Sequence, residues 1–367
     1  MTFLSAQNEI TLDTPAARPA GKRDASLDFL RLLSMLAVML VHTVNGAWAS
    51  LDVTSFSWQC VNFYNAISRA CIPCFVMISG ALMLNPKREI TLKELYCKRI
   101  PRLVTAWIFW AFCYAARHLI RYLLGAGPDA LSLFWTEFME GHFHLWFMGM
   151  IVGLYMILPL VKPIAADRKL LKYYLILSFT FGIAFPSLGV FDALKASVDS
   201  FLGKFYLYLP LGYSFYFLLG YYLYTEKLSK GAKTAVYALG AIGAVATVAG
   251  AAVGCQIDPD WGTRLFGELL VNVALYGAAV FLFTCDVLRK VDWSPKITAF
   301  LKRASDYTFG VYLSHEYFNI LLPHLGVSVM TLPPLIMAPV LTVCCYIFSY
   351  AVSAVLHRIP IAKDWLV

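Results

Sequence analysis

Long apolar runs separated by short polar, Gly- or Pro-containing stretches dominate the chain. A bilayer core about 30 Å thick needs about 20 apolar residues in helical form. Windows of that kind predict ten helices, over 27–48, 62–84, 103–124, 145–161, 173–190, 205–224, 234–253, 265–285, 304–323 and 332–356. In hydrocarbon a helix pairs its own backbone groups, so the expected fold is all-α, a polytopic integral membrane protein. Residues 1–26 and 357–367 read as cytoplasmic tails and 27–356 as one transmembrane domain. The stretch "GAWAS" after the first run contains Ala47-x-Ala49, a spacing that a signal peptidase accepts. The run is long for a cleaved signal and carries Arg31 and His42, so it reads as a retained first span.

Composition sharpens this picture. The 367 residues are 60% hydrophobic and 14% charged, too apolar for a soluble fold of this length. The net charge of +8 does not call for a nucleic-acid partner, because excess Lys and Arg in a membrane protein gathers in cytoplasmic loops. "NPKREITLKELYCKRIPR", "KPIAADRKLLK", "TEKLSKGAK" and "DVLRKVDWSPKITAFLKR" hold most of the basic residues and alternate with acidic stretches such as "GPDALSLFWTEFMEG". That bias places both termini in the cytoplasm and the protein in the inner membrane. Most of the nine cysteines fall inside apolar runs, so no disulfide framework is expected, and Cys71 and Cys74 receive no role.

Ionisable groups inside spans are costly and mark candidate function. Arg31 and His42 are eleven residues apart. On a helix that puts them about 20° apart on one face and about 16 Å apart along the axis. Asp28, one turn before Arg31, is placed to pair with it. Arg69 lies toward the outer end of the second span, and Gly80 on the same face permits a close helix contact. Arg99 and Arg102 open the third span, placed for phosphate groups. In "SDYTFGVYLSHEYF", Ser305 or Asp306 reads as a helix cap, and Tyr312 and His315 share a face beside Glu316. His142 and His144 form an HxH pair, but no Cys or carboxylate clusters nearby in sequence, so no metal is expected.

Four segments carry a resemblance. "LDFLRLLSMLAVMLVH" resembles the Arg-x10-His signature of the membrane-bound acyltransferase-3 family. "SRACIPCFVMISGALML" is similar to that family's second-helix pattern, and "HLWFMGMIVGLYMILPLV" and "SDYTFGVYLSHEYF" to its later landmarks, in order. The chain is most similar to the short, single-domain O-acetyltransferases. The resemblance implies transfer of an acetyl or other short acyl group from cytoplasmic acyl-CoA to a hydroxyl of a surface glycan or lipid-linked sugar. It implies acyl-CoA, acetyl-CoA first, as donor substrate, with no bound cofactor and no nucleic acid.

On this reading His42 is the general base, because an imidazole titrates near working pH. Arg31 and Arg69 complete the catalytic set, Arg99 and Arg102 bind the donor, and Asp28, His144, Tyr312, His315 and Glu316 form the pocket. The alternative is a proton-coupled transporter or flippase using the Arg31/His42 face as a relay. Against it, no repeated half or pair of discontinuous helices is visible in the sequence.

Overall fold

The computed structural model describes residues 23–86, 88–125, 127, 129–205, 212–258 and 261–367. Within them the chain is helical, with no strand. The principal helices are α1 (Ala25–Ser50), α2 (Phe56–Ser68), α3 (Cys71–Met83), α4 (Ile100–Leu123), α5 (Asp129–Glu140), α6 (Trp146–Met156), α7 (Leu158–Ala166) and α8 (Arg168–Phe179). They continue as α9 (Asp192–Phe205), α10 (Ser214–Thr225), α11 (Lys230–Ile257), α12 (Val271–Asp286), α13 (Pro295–Leu321), α14 (Pro334–Leu356) and α15 (Pro360–Trp365).

Seven described segments are long and apolar enough to cross a membrane, or eight if the bent pair around Ile157 forms one span. This fits a multi-pass membrane protein. The expected ten differ from this count in two places. The helix α13 spans 27 residues but begins at Pro295, and its first turns carry Lys296, Lys302 and Arg303. The helix α10 is short, and residues 206–211 of the expected span 205–224 lie outside the described residues, as do residues 1–22 of the expected tail.

Local chemistry sets the helix ends. Asp24 caps α1 by accepting from the Ser26 amide at 3.1 Å. Asp167 caps α8 through the Leu170 and Lys169 amides, and those two donors hold its carboxyl below the usual range. Ser294, not Ser305 or Asp306, caps α13. The sequence reading erred there because three polar turns precede the apolar part of that helix.

The expected span 62–84 is interrupted. Pro73 cannot donate to the Arg69 carbonyl, so the chain turns at Arg69 and Ala70 and restarts at Cys71. Beyond the break α3 lies against α10 with its backbone in contact. A side-chain carbon at Gly80 would overlap the Phe217 carbonyl, and one at Gly220 the Met77 backbone. The helix α1 occupies the centre and packs on α2, α3, α13 and α14. The residues after α15 return to the bundle: Trp110 donates to the Leu366 carbonyl at 2.9 Å, and Val367 is buried.

Candidate active site

The helices α1 and α13 run side by side in the same direction. Toward the start of each, Arg31 donates to the Ser305 hydroxyl. Buried Asp28 accepts from Arg31 at 3.2 Å and from Arg23 at 2.6 Å, and Arg23 reaches Asp306 at 2.6 Å. The expected Asp28–Arg31 pair therefore forms, and the two supposed caps, Ser305 and Asp306, instead hold arginines.

Above Arg31 lies a cavity of about 230 Å³ between α1, α3, α4, α6 and α13. Its walls are almost wholly apolar, with Val38, Ile72, Leu103 and Phe147 among them. Tyr155 lines it near the Arg31 end, where the charges of Arg99, Arg88, Arg31 and Arg102 all act on its hydroxyl. Arg99 is paired with Glu94 at 2.6 Å, and Arg102 donates to the Val367 carbonyl at 2.5 Å. Arg99 and Arg102, expected at a donor site, are not among the residues lining the cavity, and each already holds an internal partner.

Tyr312 lines the other end of the cavity, with its hydroxyl on the His144 carbonyl at 2.5 Å. One turn beyond Val38 and Tyr312 stand His42 and Glu316. His42 Nδ1 is 3.6 Å from Glu316 Oε1, and Asn319 donates to the same oxygen at 3.1 Å. His315 Nδ1 lies 2.6 Å from the Tyr312 carbonyl. A carbonyl only accepts, so that nitrogen carries the proton and Nε2 presents a lone pair. This Nε2 is buried, without a hydrogen-bond partner, 3.4 Å from Glu316 Oε1.

His42, His315 and Glu316 bring two imidazole nitrogens and a carboxylate oxygen within 4.8 Å of one another, a donor set that zinc also accepts. Sequence spacing joins only His315 and Glu316, and the fold adds His42 from a second helix. The same atoms can share protons among themselves.

Arg69 stands at the helix break, its guanidinium 4.6 Å from the centre of the Phe266 ring and 2.5 Å from Asn65 Oδ1. Its charge acts on His42. Arg69 Nε, Asn65 Nδ2, His144 Nε2 and His315 Nε2 are buried and unpartnered. Orphaned polar atoms of this kind call for a ligand or water. Phe143, largely exposed, sets its ring 5.2 Å from His42.

Of the residues expected at the site, Arg31 lines one end of the cavity with Asp28 paired to it, and the charges of Arg99 and Arg102 reach Tyr155. Tyr312 lines the other end, His42, His144, His315 and Glu316 cluster about it, and Arg69 stands at the helix break. Sequence reasoning missed Ser305 as a partner of Arg31, Arg88 and Tyr155 at the mouth, and Glu137 and His118 beyond His142. Polar residues one turn apart on α13, and the HxH pair near acidic Glu137, were the only signals for these.

Residues 24–358 match the model of the acyltransferase-3 family, described as an acyltransferase domain. No curated protein and no solved structure is a match.

Proposed function

Because the chain belongs to the acyltransferase-3 family, we propose that this acyltransferase moves an acetyl or other short acyl group from cytoplasmic acyl-CoA to a hydroxyl of a surface glycan or lipid-linked sugar. The observation that carries the reading is the apolar cavity that starts at Arg31 and ends one turn below His42. The basic cluster around Tyr155 suits the phosphates of the donor, because guanidinium groups bind phosphate oxygens in pairs. The apolar passage suits a pantetheine arm. The eleven-residue separation along α1 gives about 16 Å for that arm to cross. The bias of Lys and Arg toward the segments at this end supports a cytoplasmic donor mouth in the inner membrane.

The chemistry follows from the groups at the far end. Glu316 Oε1 stands 3.6 Å from His42 Nδ1, and a shift of a few tenths of an ångström would let it accept that N–H and leave Nε2 as the basic nitrogen. The base takes the proton of the acceptor hydroxyl as its oxygen attacks the thioester carbonyl. The carbon–sulfur bond breaks, and the thiolate withdraws down the passage. Arg69, whose charge acts on His42 from the helix break, is the group we assign to steady the developing oxyanion or position the acceptor. Passage through an acyl-His42 intermediate uses the same groups, and rapid quenching of a reaction lacking acceptor distinguishes the two routes.

The test is transfer of label. Membranes holding the protein, given acetyl-CoA labelled in its acetyl group, should place label in the glycan or lipid-linked sugar fraction. A transporter moves no label into that fraction, and such a result would overturn the reading.

A further inference from the structure

The transfer chemistry uses the cluster of His42, His315 and Glu316 only in part. His42 serves as base and Glu316 is placed to set its tautomer, but His315 has no task there. One nitrogen from each imidazole and one carboxylate oxygen lie within 4.8 Å of one another. Glu316 Oε1 is 3.6 Å from His42 Nδ1 and 3.4 Å from His315 Nε2. Zinc holds imidazole nitrogen and carboxylate oxygen at about 2.0–2.2 Å, so the edges of a tetrahedron around it measure about 3.3–3.6 Å. Both distances match such edges, and only the edge between the two imidazoles is left for the His42 ring to close.

The surroundings are those of a ligand set. His315 Nδ1 lies 2.6 Å from the Tyr312 carbonyl, which fixes a proton on that nitrogen and leaves a lone pair on Nε2. Metal-bound histidines are oriented in this way, through the second ring nitrogen on a carbonyl. His315 Nε2 is buried and has no hydrogen-bond partner. Its lone pair faces an oxygen of Glu316 at 3.4 Å, too far for an O–H hydrogen bond, and a cation between the two would bind both. Asn319 donates to Glu316 Oε1 at 3.1 Å and so steadies the carboxylate. His42 is 21% exposed whereas His315 and Glu316 are buried, so an ion has its way in past His42.

We propose that His42, His315 and Glu316 bind a divalent ion of the zinc class, and that this ion switches the acyltransferase off. The site stands on its geometry, and its consequence rests on the acyl-transfer reading given above. A metal on His42 Nδ1 needs that nitrogen free of its proton, which leaves the proton on Nε2. The base needs the opposite tautomer, with Nε2 bare. The two states exclude one another, so a bound ion removes the base. Two imidazoles select zinc over calcium or magnesium, which take oxygen ligands. Three protein ligands are one fewer than a structural zinc site has, and the charge of Arg69 also opposes a second cation, so the occupant exchanges.

The other histidine pair does not compete. His142 Nδ1 and His144 Nδ1 are 2.8 Å apart, too close to be neighbouring ligands of one tetrahedral ion, and they hold each other instead. Glu137 beyond them is already taken by Arg117 at 2.8 Å and 3.3 Å.

The test uses the full-length protein in detergent, stripped of metal by a chelator, with cobalt(II) as the coloured probe. The parental protein should take up one cobalt ion in four-coordinate form, and one equivalent of zinc should displace it. X-ray absorption of the zinc form should show two imidazoles and one carboxylate oxygen. His315→Ala should weaken cobalt binding by about tenfold or more, with its metal-free thermal midpoint as the check on folding. His118→Ala, outside the trio, should bind as the parental protein does. In membranes given labelled acetyl-CoA, free zinc at ten times its measured Kd should cut transfer to about one tenth. A chelator should restore the rate, and magnesium should leave it unchanged. Parental cobalt affinity in His315→Ala, or binding lost in His142→Ala instead, would overturn the site. If His315→Ala does not fold, a zinc shell in the parental protein lacking the carboxylate or either imidazole would overturn it. Zinc bound as expected with transfer undiminished would overturn the switch. Absence of labelled product from metal-free parental membranes would overturn the acyl-transfer reading, and the cobalt titration would still decide the site.

Discussion

His42 Nδ1 lies 3.6 Å from Glu316 Oε1, and eleven residues earlier on each of the same two parallel helices Arg31 donates to Ser305. Eleven residues make three helical turns, so both contacts fall on the single seam between α1 and α13. If the carboxylate sets the His42 tautomer, Glu316→Gln keeps the shape but removes the charge that steadies the imidazolium. We expect kcat to fall by about 100-fold with donor binding retained. Steady-state kinetics on purified protein checks this, and a parental kcat counts against the pairing.

Arg31 is held by Asp28 and Ser305 at the cavity mouth. Lysine there keeps the charge but loses the planar fork. Arg31→Lys should raise the KM for acyl-CoA by about tenfold while changing kcat little, a loss of about 1.4 kcal/mol of donor binding. An equal loss in kcat alone would place Arg31 in the chemical step instead.

Val38 stands on the cavity wall one turn below His42. Val38→Trp fills the passage. We expect transfer to drop by about 100-fold, because small displacements of a reacting group cost that much. Binding of the nucleotide end, measured with 3′-phosphoadenosine diphosphate as probe, should persist. Full activity in the filled variant would mean that the donor arm travels elsewhere.

Gly80 and Gly220 allow α3 and α10 to touch backbone to backbone. Because the obstacle at Gly80 is the Phe217 carbonyl rather than a flexible side chain, Gly80→Ala should cost about 1–3 kcal/mol. Thermal unfolding in detergent reads this directly, and an unchanged midpoint would show that the helices part without cost.

The seam between α1 and α13 was partly legible in the sequence, and the reason is geometric. Arg31 and His42 repeat at a helical period, so one segment fixes their common face. The break at Arg69 was not legible, because a hydropathy window averages straight across Pro73. The helix α5 read as a loop, because "DALSLFWTEFME" is amphipathic rather than continuously apolar. The start of α13 was misplaced by nine residues for a related reason: Ser305 and Asp306 look like caps until arginines from the other end of the chain are seen against them. The contacts among His42, His118, His142, His144, His315 and Glu137 draw on α1, α4, α5, α13 and the turn before α6, so no single stretch of sequence displays them.

The central claim is that a donor mouth at Arg31 and a base at His42 serve one passage through the bilayer. Sealed vesicles of uniform protein orientation, with labelled acetyl-CoA supplied only on the Arg31 side and acceptor only on the other, test it most directly. The account predicts labelled acceptor with the parental protein and none above background with His42→Ala at equal expression and folding. Equal labelling by His42→Ala, or labelling only when donor and acceptor share a side, would contradict it.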